Sequence, residues 1–167
     1  MSDQTLIELL YGKAAHTNPL ACLQDVSLEL AGRRTDHFPH SIFQLTSHMN
    51  YWMAYELCRI RGEKPPYPQH ASESWPTEAA PSNENDWKAV VAQFGKLLGE
   101  MQALAESSPE ILERPVEAIH PDHSRYSHSV HAVLWQTLVH NSYHIGQIAM
   151  LRRSFGAWPP PSGGDSW

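Results

Sequence analysis

Four stretches of the chain carry apolar residues at three- and four-residue spacing, and each predicts a helix. The first covers residues 5–30 and is broken. Leu6, Ile7, Leu9 and Leu10 begin a stripe that Leu20, Leu23 and Val26 resume. Between them, Thr17-Asn18-Pro19 offers a cap and a proline suited to a first helical turn, so the break falls near 16–19. Residues 40–61 form the second, about 33 Å long, with Ile42, Leu45, Met49, Trp52 and Ile60 on one face and a single acidic interruption at Glu56. The third starts at a cap on Asn83 or Asn85 and runs to about Glu106 through Trp87, Val90, Phe94, Leu98 and Met101. The fourth runs from about Ser127 to Phe155, stopped by Gly156 and Pro159.

Two proline-rich connections separate these elements. Residues 62–82 hold Pro65, Pro66, Pro68, Pro76 and Pro81 without periodicity, a length that suits a crossover better than a hairpin turn. The other, 107–126, holds Pro109, Pro115 and Pro121, and only 115–120 has the makings of a short strand. The predicted fold is all-α: a four-helix bundle with long Pro-rich crossover connections, one domain over 1–167 with a non-helical tail at 156–167.

Composition narrows the function. Twelve Lys and Arg against eighteen Asp and Glu leave a net charge of −6, the wrong sign for a protein that grips phosphates. No apolar run approaches the roughly 18 residues of a membrane span, and the amino-terminal residues lack the positive charge of a secretion signal. Cys22 and Cys58 are too few for a disulfide framework or a cysteine-based zinc site, so a cytoplasmic setting is expected.

Histidine is the unusual component, with eleven in the chain. On the fourth helix His144 lies about 40° around the axis from His140, and Val133, Leu151, Val130 and Ile148 lie within about 80°. The pair therefore faces the core, one turn apart, where both imidazoles can converge on one ion. His48, near the middle of the second helix, offers a third nitrogen from a facing helix. Three histidines leave a coordination position open, as catalytic rather than structural metals require. The competing reading is a helical core whose histidines merely pack and hydrogen-bond. The segment His140-Asn141-Ser142-Tyr143-His144 lacks the glutamate of an HExxH metalloprotease. His37, His40, His120, His123 and His128 read as exposed or loop-capping, and His131 lies on the helix about 13 Å from His140. Asn141, Tyr143, Gln147, Tyr51 and Trp52 are close enough in sequence to line a pocket, and no residue is assigned as general base.

Two segments carry a family resemblance. His40-Ser41-Ile42-Phe43-Gln44-Leu45 with His48-Met49, and His140 through His144-Ile145-Gly146-Gln147-Ile148, resemble the DinB/YfiT-like superfamily of bacterial proteins. The tail from Leu151-Arg152-Arg153 to Asp165 is similar to one of its subgroups. The resemblance implies a bundle of atypical connection order, often a homodimer, with one divalent ion, zinc or nickel, on His48, His140 and His144. It also implies a small-molecule substrate. Characterised relatives include transferases using bacillithiol, mycothiol or glutathione, and some hydrolase-like members.

A divalent ion at such a site supports either reaction. It lowers the pKa of bound water, or it holds a thiol as the reactive thiolate. The leading expectation is a metal-dependent thiol S-transferase or hydrolase, and the alternative a non-catalytic, stress-related protein that binds metal or a small ligand. Binding to duplex DNA is not expected, because no basic run exceeds Arg33-Arg34 and Arg152-Arg153. A gel-shift titration at physiological ionic strength checks this; tight, salt-sensitive retardation overturns it.

Overall fold

The computed structural model describes residues 3–117 and 128–164. About 60% is helical, and the only strands among the described residues are two dipeptides. The expected broken first element is three short helices: α1 (Gln4–Leu10), α2 (Pro19–Leu23) and α3 (Leu28–Gly32). Asn18 accepts from the backbone N–H groups of Leu20 and Ala21, and Pro19 takes the first turn, where its missing N–H costs nothing. The second piece is itself divided, a departure from the two-part expectation. Asp25 turns the chain at φ 56°, and Ser27 then caps α3. No periodicity reveals that turn beforehand, because an aspartate in the left-handed region leaves no mark on the apolar pattern.

The long helices match their sequence signals closely. In α4 (Ile42–Ile60), Ser41 and Gln44 form a reciprocal capping box, so the start falls two residues after the expected one. Asn83, not Asn85, caps α5 (Glu84–Ala105). After α6 (Pro109–Leu112), β1 (Pro115–Val116) pairs antiparallel with β2 (His128–Ser129), and Ser129 caps α7 (Val130–Ser154). The short strand expected at 115–120 thus exists over its first two residues. Glu117 is not in the strand, and residues 118 and 119, His120, His123 and Asp165 lie outside the described residues.

Hydrogen bonds fix the order of the bundle. The Asn50 amide donates to the Val90 carbonyl at 2.9 Å, and farther along Arg61 pairs with Glu100, so α4 and α5 run parallel. Parallel neighbours need a crossover, and residues 62–83 provide it. The segment returns along α4 until Gln44 Nε2 donates to the Pro76 carbonyl at 2.9 Å and Ser41 Oγ to that of Ala79, both at the helix's first turn. By contrast, α7 runs antiparallel to α4. Its first N–H donates to the Arg114 carbonyl, Arg114 donates to the Ile60 carbonyl, and the middle of α7 meets His48. Leu45, Met49, Met53, Phe94, Leu98, Met101, Leu134, Ile145 and Ile148 fill the space between these three helices and are fully buried.

Of the amino-terminal helices, α1 and α2 contact α7 while α3 packs on α4 and α5, and Arg152 ties the end of α2 and the turn after it to α7. It is 1% exposed, donating to the carbonyls of Cys22 (2.8 Å), Gln24 (3.0 Å) and Ala157 (2.8 Å) and to Asp25 Oδ1 (2.9 Å). Three carbonyls and a carboxylate thereby share one guanidinium. Arg152→Met keeps the side-chain length but strands those acceptors, and should cost about 3 kcal/mol or more of stability. Urea unfolding followed by circular dichroism measures it; a loss within about 0.5 kcal/mol, the range of a neutral surface change, overturns this account.

Candidate metal centre

The antiparallel seam of α4 and α7 places the three expected histidines together. His48 comes from the middle of α4, and His140 and His144 come from consecutive turns of α7. His140 Nε2 lies 3.2 Å from His48 Nε2 and 3.1 Å from His144 Nε2. One ligand atom from each lies within 4.8 Å of the others. His48 and His144 are buried, and His140 is half-buried and opens the cluster to one side.

The partners of the remaining ring nitrogens decide what this cluster can hold. A carbonyl only accepts, so the 3.2 Å contact to Ser74 O requires a proton on His48 Nδ1 and leaves a lone pair on its Nε2. The Gln147 Oε1 contact at 2.6 Å does the same for His144. Two lone pairs therefore point at His140 Nε2, which has at most one proton to offer. His140 Nδ1 is buried without a partner, as are both polar atoms of the Asn141 side chain. No arrangement of protons satisfies the three Nε2 atoms together. One cation satisfies all three. A tetrahedral ion with nitrogen ligands at 2.0–2.1 Å holds them about 3.3 Å apart, close to the two separations found here. The residues present fit a divalent ion.

Burial keeps the imidazoles in the neutral, ligating form. Loss of water drives the pKa of His48 down to about 4, and neighbouring histidines push it further in the same direction against the Ser74 bond. His140 falls to about 4, first through burial and then through His144. His144 is lowered by burial while its bond to Gln147 opposes the shift.

The family model of the DinB superfamily matches residues 13–148. The chain belongs to the DinB superfamily. Comparisons with curated proteins and with solved structures return no match. Within this DinB chain the matched stretch contains all three histidines, the whole of α4, and α7 as far as Ile148.

Other sequence expectations divide. Gln147 bonds His144 directly. Tyr143 is exposed with its ring 5.1 Å from that of His144, and Trp52 sets its edge towards His48 at 6.4 Å. Tyr51 packs on Trp52 and Tyr55 instead of His48, His140 or His144. His131 is structural, its Nε2 2.8 Å from Asp3 Oδ2, which pins the first residues of α1 to α7. His37 is exposed as expected, whereas His128 is half-buried in β2. His40 corrects the expectation of a loop-capping role: it is half-buried and stacks on Trp75 at 3.8 Å. Trp75 and Ser74 were not legible as site residues, because the Pro-rich segment has no period from which a facing side can be read.

The depressed pKa values set a pH dependence for the metal-free protein. Unfolded histidines take up protons near 6.5, whereas folded His48 and His140 resist until about 4. The unfolded state then binds more protons, so stability falls as pH drops from 6.5 towards 4. His140→Gln removes one such group and should flatten the slope. Thermal melts in chelator between about pH 7 and about pH 4.5 check this, and identical slopes for the two proteins overturn it.

Proposed function

We propose that this DinB-superfamily protein is a divalent-metal-dependent enzyme, a thiol S-transferase or hydrolase acting on a small organic substrate, with the ion held by His48, His140 and His144. The observation that carries the reading is the convergence of three neutral imidazole nitrogens whose lone pairs no arrangement of protons can satisfy. Zinc and nickel are the metals proposed, since both accept imidazole nitrogen. When bound, the ion supplies a Lewis acid that makes a water or thiol in its open position nucleophilic at neutral pH.

Two features favour a catalytic over a structural role. Among the described residues the group consists of three histidines, with no cysteine or carboxylate to close the shell. His140 is half-buried, and the exposed Val139 and Tyr143 flank it on α7, giving small molecules an apolar rim to approach. The chain's own residues position and enclose. Gln147 and the Ser74 carbonyl hold two imidazoles in the required tautomer, and Trp52 borders His48.

A thiol nucleophile would have to arrive as a cosubstrate such as bacillithiol, mycothiol or glutathione. Burial pushes the Cys22 thiol up to about 11 despite Arg152 nearby, and Cys58 is raised as well, so neither is a ready thiolate. Two unbridged cysteines suit a reducing cytoplasm, where we place the activity. No helix among the described residues is long and apolar enough to cross a membrane. We propose a homodimer that works without nucleic acid. The second reading, a non-catalytic stress-response protein binding metal or a small ligand, shares the site and differs only in what enters it.

Metal analysis and cobalt spectroscopy test the proposal together. His144→Ala should stay helical but lose stoichiometric metal, and full retention overturns the ligand assignment. In cobalt-loaded wild-type protein, a small thiol or azide should change the visible spectrum as it enters the open position. A spectrum unresponsive across a wide ligand range points to a closed, non-catalytic centre.

A further inference from the structure

His140 and His144 are held in mutual register by one helix, their rings edge to face at 4.5 Å. His48 has no such neighbour. It alone represents α4 in the cluster, so the aim of its ring decides whether three nitrogens meet or only two. Its Nδ1 bond to Ser74 fixes one point of the ring but leaves the imidazole free to tilt about that bond.

The face of the ring is fixed by a residue from the Pro-rich crossover. Trp75 stacks on His48 with centroids 3.8 Å apart and planes within 9°, and its edge meets His144 at 5.7 Å. Trp75 in turn stacks on His40 at 3.8 Å and 12°. Two rings cannot share one face of an indole at that distance, so Trp75 lies between the imidazoles. His40 immediately precedes the capping Ser41 and meets Phe38 edge to face at 6.2 Å, so it backs the indole from the start of α4. The backbone on either side is anchored too. Ser74 Oγ donates to the Ala71 carbonyl at 2.8 Å, and Gln44 Nε2 to that of Pro76 at 2.9 Å. A core-packed indole on an anchored stretch of the crossover is thus set against one face of one imidazole.

We propose that Trp75, backed by His40, is a positioning residue of the metal centre that holds the plane of the His48 ring so that its Nε2 points to the place shared with His140 and His144. The inference rests on the metal-binding reading and adds to it a residue outside the histidine set. Groups that orient a metal-bound imidazole are worth about 10–100-fold in metal affinity.

The test is cobalt affinity and the cobalt visible spectrum of full-length wild-type protein, Trp75→Leu, Trp75→Phe, His40→Leu and His40→Phe, with metal-free melting recorded for each. Trp75→Leu should bind cobalt about tenfold more weakly or worse, with an altered d–d band, while melting much like wild type without metal. Trp75→Phe, which keeps an aromatic face, should restore most of the affinity and the band. His40→Leu should show a smaller loss in the same direction, reversed in His40→Phe. A folded Trp75→Leu with wild-type affinity and spectrum overturns the inference. If that variant does not fold, His40→Leu decides: wild-type behaviour there overturns it equally. Wild-type protein that takes up no cobalt overturns the metal centre itself, a result distinct from loss confined to the variants.

Discussion

Three imidazole nitrogens directed at one another across the α4–α7 seam impose the central constraint on this molecule. Each is neutral, each is partly or wholly removed from water, and mutual hydrogen bonding leaves at least one lone pair unmet. Such a cluster costs free energy on its own. The surrounding core has to sustain it, and the fully buried Leu45, Met49, Ile145 and Ile148 on the same two helices provide contacts that hold the seam closed. The Ser74 carbonyl and the Gln147 amide oxygen then keep two outward-facing nitrogens satisfied, which leaves the three converging Nε2 atoms, with His140 Nδ1 and the Asn141 amide beside them, as the unmet groups of the cluster.

The parallel arrangement of α4 and α5 follows from the same economy of space. A chain leaving the carboxyl end of α4 must return to its amino end before α5 begins, and the return path passes the histidines. Proline suits that path. It offers no N–H that would need a strand partner, and it holds the backbone extended. The crossover therefore does more than connect: it covers His48 and brings an indole to it.

Elements with a repeating period were legible in the sequence, and elements fixed by single contacts were not. The apolar spacing places all three long helices within a few residues of their ends, and Asn18 and Asn83 announce the caps of α2 and α5, whereas Ser41 and Ser129 gave no such signal. The orientation of His140 and His144 follows from the helical repeat, and His48 from its place on a facing helix. Trp75 is different. Its partners, His40 and His48, lie 35 and 27 residues earlier in the chain, and an aperiodic segment does not say which way its side chains point. Arg152 misleads in the opposite direction. A cation in the last turn of a helix complements the dipole and is commonly solvated, yet this one is buried because the carbonyls that satisfy it belong to residues 22, 24 and 157. The turn at Asp25 is hidden for the same reason, since it places the acceptors that Arg152 requires.

That guanidinium also bears on the order in which the molecule assembles. Its bond to the Cys22 carbonyl joins residues 130 apart in the chain, whereas the capping bonds of α4 and α5 close over two or three residues. Closing so large a loop is entropically expensive until other contacts have shortened the path. On a ribosome, residues 22–25 emerge long before the guanidinium that binds Cys22, Gln24 and Asp25 has been made. The nascent chain can form the α4–α5 pair early, and Trp87 can then already donate to the Val26 carbonyl, but the bonds of Arg152 to residues 22, 24 and 25 close only once the end of α7 is complete.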